Sequence, residues 1–67
     1  MRPEELAQAL TAQRKQLHIT QQQVADRMGK HLSFVQGIEY NPGVNRKIET
    51  YIAYAEAIGM KLVFTLD

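Results

Sequence analysis

Apolar positions recur along this chain at helical spacing until about residue 58, where the period changes. Leu6, Leu10, Arg14 and Leu17 fall within an arc of about 80° at 100° per residue, so the first predicted helix carries a charge on its inward stripe. Val24, Ala25 and Met28 mark the inward side of a second, short helix, and Val35 and Ile38 that of a third. Ile48, Tyr51, Ile52, Ala55 and Ile58 follow at i, i+3, i+4, i+7 and i+10, a fourth helix. After Gly59 the period drops to two: Leu62, Phe64 and Leu66 alternate with Lys61, Val63 and Thr65, the pattern of a strand.

End signals bound these elements at about 4–17, 20–28, 32–40 and 46–58, with the strand at about 60–66. Pro3, Glu4 and Glu5 suit a first helical turn. Thr20 and Gln23 have the spacing of a capping box, and Gly29 and Gly59 suit the left-handed position that ends a helix. Asn41-Pro42-Gly43-Val44-Asn45 carries turn formers, with Asn45 expected to cap the fourth helix. A lone strand cannot satisfy its own backbone groups, and nothing else here reads as a strand. The same segment of a second copy, through Leu62, Val63, Phe64, Thr65 and Leu66, is the expected partner about a two-fold axis.

The third helix has two sides of opposite character. Ser33, Gln36 and Gly37 face away from Val35 and Ile38, with Leu32 and Phe34 at the flanks as edges of the core or parts of a binding face. Glu39 lies beside the core side, where a carboxylate needs a partner, and Arg14 is the evident one. This pairing predicts a salt bridge fixing the first helix against the third.

Sixty-seven residues make one domain, and a domain near this size buries only roughly 60% of the surface its unfolded chain exposes, which itself favours an obligate partner or a dimer. The absence of cysteine removes disulfides and thiolate metal sites, and His18 and His31 stand isolated, so no metal or cofactor is expected. No apolar run approaches the ~18 residues of a membrane span, and MRPEELAQAL lacks the order of a signal peptide; a cytoplasmic protein is expected. Seven carboxylates offer no acid–base pairing beyond Glu4-Glu5, and there is no glycine-rich phosphate loop, so the chain does not read as an enzyme. At a net charge of +1, any affinity for nucleic acid depends on where the cations stand.

Two helices of this length, separated by Met28-Gly29-Lys30-His31, must cross steeply to share one apolar patch, the helix-turn-helix arrangement. The second of them then stands where it can enter a DNA major groove. Gln21, Ala25, Gly29, Val35, Ile38 and Glu39 form the pattern Q-x-x-x-A-x-x-x-G-x-x-x-x-x-V-x-x-I-E, by which the stretch from Leu6 to about Gly59 resembles the lambda-repressor-like, or Xre-type, domains. Asn41-Pro42, the fourth helix and the terminal LVFTLD resemble HipB-like antitoxins. The fold implied is mainly α, a four-helix domain with a C-terminal strand pairing across a dimer.

The resemblance also sets an arginine of the first helix against the glutamate ending the third, in line with Arg14 and Glu39. It implies a phosphate contact for Gln21, with Gln22 beside it at the same helix start, and base contacts at or beside Lys30, His31, Leu32, Ser33, Gln36 and Gly37. Gln36 is the best base reader among these, since Leu32 and Gly37 offer no hydrogen bond from a side chain. Arg46 and Lys47 sit where the helix dipole disfavours cations, which assigns them to phosphates. Lys15, Arg27 and Lys61 read as solvated surface. The implied partners are double-stranded DNA bearing an inverted repeat, a second copy, and a toxin, a HipA-like kinase if the narrower likeness holds, in a nucleoid-associated protein. A protein-interaction module of the same fold, or a phage-type repressor without a toxin, are the alternatives.

Overall fold

The computed structural model of the chain describes residues 2–64, which fold into α1 (Pro3–Gln16), α2 (Gln21–Met28), α3 (Leu32–Tyr40) and α4 (Ile48–Ala57). Each of α1 and α2 packs against both α3 and α4. The core forms where they meet: Ala7 and Leu10 of α1, Val24 and Ala25 of α2, Val35 and Ile38 of α3, and Tyr51, Tyr54, Ala55, Ala57 and Ile58 in and just after α4 are buried. Met28, Leu6, Ile19 and Leu62 close its edges, half-buried.

Local chemistry sets the helix ends. Thr20 and Gln23 form the reciprocal capping box, the Thr20 hydroxyl accepting from the Gln23 N–H at 3.0 Å and the Gln23 side chain accepting from the Thr20 N–H at 2.8 Å. Gly29 and Gly59 adopt left-handed backbone at φ 68° and 76°, and the N–H after each returns to a carbonyl five residues back, Lys30 to Ala25 at 2.9 Å and Met60 to Ala55 at 2.8 Å. His18 does the same at φ 59° without being glycine, and Ile19 N–H returns to Arg14 O at 3.1 Å.

That third turn corrects the reading of α1. Leu17 was expected on the inward stripe; it is the C-cap, 43% exposed, because the reversal at His18 ends the helix one residue early and carries Ile19 to the core in its place. The start of α4 also moves. Lys47, not Asn45, is the N-cap, and it makes no side-chain cap bond. The Arg46 guanidinium binds the carbonyls of Asn41, Val44 and Gly37 at 3.0, 3.2 and 2.8 Å, which holds this stretch in the loop and starts the helix at Ile48. Ile48 is consequently exposed and lines an open recess with Leu6, Tyr51 and Phe64, while Tyr54 takes the fully buried place on the stripe.

No strand occurs among the described residues. Met60 to Phe64 form no regular element, Leu62 rests against the core, and Val63 and Phe64 are exposed. A ladder needs a neighbouring strand, and this part of a single chain has none to offer. Thr65 and Leu66, also expected in the strand, lie outside the described residues.

Candidate nucleic-acid interface

The corner between α2 and α3 spends few residues on turning. Gly29 closes α2, Lys30 is fixed by its N–H to Ala25 O, and His31 is already the N-cap of α3, with its carbonyl accepting from the Phe34 N–H at 3.0 Å. Lys30, His31 and Ser33 are exposed there and Leu32 is half-buried. The Lys30 ammonium sits 5.2 Å from the Phe34 ring centroid, near enough for cation–π attraction across the corner.

At the opposite ends of the same two helices, around the start of α2 and the end of α3, lies a closed polar node. Arg14 donates from Nε to Glu39 Oε2 at 2.7 Å and from Nη2 to Glu39 Oε1 at 2.8 Å, a bidentate pair, and from Nη1 to Ile19 O at 2.9 Å. The Tyr54 hydroxyl donates to Glu39 Oε2 at 2.5 Å, and Gln21 Nε2 donates to Glu39 Oε1 at 2.9 Å. The side chains of Arg14 and Glu39 are 10% and 2% exposed, so the pair works in a poorly solvated setting. Among the described residues no buried side-chain nitrogen or oxygen lacks a partner.

The node sets the protonation states of its members. Burial pushes the Glu39 carboxyl up, but the hydrogen bonds from Arg14, Tyr54 and Gln21, with the arginine's charge, outweigh it and hold the group below the ordinary glutamate value. Arg14 is raised, chiefly by its hydrogen bond to Glu39 and against the effect of burial. Tyr54 is raised by burial first and by the adjacent carboxylate second, so its hydroxyl keeps its proton as a donor.

Around the node the expected contact residues divide. Gln21 is half-buried with its amide engaged by Glu39 and by the Tyr40 hydroxyl at 3.1 Å, and Gln36 Nε2 donates to Gln21 Oε1 at 3.4 Å. Gln22 is exposed and bonded along its own helix to Asp26 at 2.9 Å. Gly37 is half-buried under Arg46, yet a β-carbon there would sit 4.0 Å from Arg46 Nη2, so the position has room for a small side chain. Arg46 spends both terminal nitrogens on loop and helix carbonyls, whereas Lys47 is exposed.

Three participants escape the periodicity. Tyr54 lies three residues after Tyr51 on the inward stripe, and a buried tyrosine hydroxyl needs a polar partner, a signal that could have led to Glu39. Tyr40, 66% exposed, brings its hydroxyl to the N-terminal end of α2. Arg27, read as solvated surface, donates to Ala57 O at 2.7 Å and ties α2 to the end of α4; thirty residues separate the two, and no local pattern reports such a contact.

Among the described residues no group of three His, Asp or Glu side chains is arranged to hold a metal ion, and no helix is long and apolar enough to cross a membrane. A helix-turn-helix family model matches residues 10–64, which takes in the node, the corner and all of α2, α3 and α4. Neither a curated protein nor a solved structure matches the chain.

Proposed function

The chain belongs to the Xre/lambda-repressor-like helix-turn-helix family of DNA-binding transcription regulators, and from that premise we propose that it is a dimeric, sequence-specific repressor acting as the antitoxin of an operon it autoregulates. The observation that carries the DNA contact is the exposed corner of Lys30, His31 and Ser33, mounted on a recognition helix whose far end the buried Arg14–Glu39 pair holds in place. Two copies of α3 about a two-fold axis enter successive major grooves about 34 Å apart and read an inverted repeat. Gln36 reads a base, Lys30 and Lys47 lie near phosphates, and Gln22 is exposed at the start of α2. The segment from Leu62 to Leu66 pairs with its copy as an antiparallel strand, which gives Val63 and Phe64 the cover they lack in one chain. The HipB-like features of the sequence favour a kinase-like toxin as the second protein partner.

Retardation of duplexes taken from upstream of the protein's own gene tests the first part. A shifted band that weakens steeply with salt is expected, and no retardation of any such duplex sinks the reading. Sedimentation of the full chain against a version ending at Gly59 tests the second: a dimer in the first and a monomer in the second is expected, and dimers in both remove the strand from the interface. A specific observation favours one rival, a module that binds a protein with little DNA contact. Phe34, Tyr40, Val44, Met60, Val63 and Phe64 are all exposed, large side chains that a protein partner could cover. Capture of a toxin by a chain that retards no DNA would decide for it.

A further inference from the structure

Gln21 opens α2 at the position that the family resemblance gives to a phosphate, yet both of its N–H groups are taken by the protein's own groups, one at the buried Glu39 and one at the exposed Tyr40. Nε2 donates 2.9 Å to Glu39 Oε1 and 3.1 Å to the Tyr40 hydroxyl. An ionised carboxylate only accepts, so Glu39 compels Gln21 to turn its NH2 group inward and its Oε1 away. Charge makes that orientation stable, because Glu39 is held ionised by Arg14 on both oxygens.

The constraint passes outward by one more bond. Gln21 Oε1 is an acceptor, and Gln36 meets it with Nε2 at 3.4 Å. Gln36 therefore also faces its NH2 group inward, keeping one N–H and its own Oε1 for whatever approaches α3. Adenine presents an acceptor and a donor in the major groove, N7 and N6–H, whereas guanine presents two acceptors, N7 and O6. One free donor beside one free acceptor fits adenine. The reverse polarity would leave Gln36 with two free donors, which fits guanine.

We infer that the buried Arg14–Glu39 pair, acting through Gln21, fixes the donor–acceptor polarity of Gln36 and so makes it select adenine over guanine. Gln21 is a positioning residue in this scheme, and its side chain spends nothing on phosphate. The inference rests on the DNA-binding reading above and goes beyond it by naming the determinant of a base preference.

Selection of random-sequence duplexes by the full-length protein supplies the probe. The position read by Gln36 is the one whose preference disappears in Gln36→Met, and the expected base there is adenine. At that position Gln21→Met lowers the adenine-to-guanine affinity ratio by roughly tenfold, within the range of one bidentate contact, while the slope of log Kd against log salt stays at the wild-type value. Gln21→Lys, which still donates to Glu39 but offers Gln36 only donors, moves the preference toward guanine; it keeps the test open should the methionine variant fail to fold. An unchanged ratio in both variants, a drop in salt slope by one phosphate in Gln21→Met, or a base other than adenine opposite Gln36 overturns the inference and leaves DNA binding standing. No enriched sequence with the wild-type protein overturns sequence-specific binding itself, and the inference with it.

Discussion

The two sides of α3 differ in how fully their polar groups are engaged. On the inward side Glu39 accepts four hydrogen bonds from three elements, and its neighbours Val35 and Ile38 are completely buried. Toward the corner, His31 and Ser33 stand in water, and Gln36 is anchored by a single long contact. The difference follows from desolvation. A buried carboxylate without partners costs several kcal/mol, so the inside must be closed before the fold is stable, whereas water satisfies the outside at no cost and leaves it free for a ligand. The side that specifies the fold is therefore overdetermined, and the side proposed to meet DNA is spare.

Removing Arg14 attacks the contrast most directly. Arg14→Met leaves the Glu39 carboxylate buried and is expected to cost ~3–5 kcal/mol in urea unfolding, against a total of about 3–10 kcal/mol for a chain of this length. The same variant inverts the response to acid. In the wild type the lowered Glu39 value contributes stability that is complete above the ordinary glutamate range and is lost as pH falls through the folded value, below about pH 4. In Arg14→Met the stranded carboxylate takes up a proton more readily folded than unfolded, so thermal stability should rise between neutral pH and about pH 5. A parallel pH dependence in the two proteins would break the comparison.

Tyr54→Phe removes one donor and leaves the ion pair, and a loss of ~1.5–3 kcal/mol in the same unfolding assay is expected for a hydrogen bond to a charged group. A loss under 0.5 kcal/mol would mean that Arg14 and Gln21 alone close the node. His18→Gly tests the turn that delivers Ile19 to Arg14. Relief of left-handed backbone should raise the melting temperature, with a gain of up to about 1 kcal/mol. On the corner, Ser33→Ala should move stability by less than about 0.5 kcal/mol, and a larger loss in the melt would show that this side also supports the fold.

Much of the inward architecture was legible because it is local. Thr20 and Gln23, Gly29 and Gly59 act within one turn of their own sequence, and the four-helix order follows from apolar spacing. Arg14 and Glu39 were also readable, each as a charge out of place on an apolar stripe, and their side chains lie 2.7 Å apart. Periodicity erred where the chain leaves a helix. Leu17 fits the stripe of α1 but follows its last turn, and Ile48 fits that of α4 but stands at the exposed start. Side-chain use was the least legible. Arg46, expected at a phosphate, and Arg27, read as solvated surface, both end on backbone carbonyls, the first on α3 and the loop before α4 and the second at the end of α4.

By itself the sequence determined the number and order of the helices, the sharp corner at Gly29, the charged pair and the family, since each depends on spacing, capping or residue type along the chain. The tertiary structure alone decided that Tyr54 joins Glu39, that Gln21 turns its amide inward, and that Gln36 follows it. The reason is physical. Hydrogen-bond direction belongs to groups brought together from α1, α2, α3 and α4, and the buried carboxylate, which can only accept, sets that direction once packing has placed its donors.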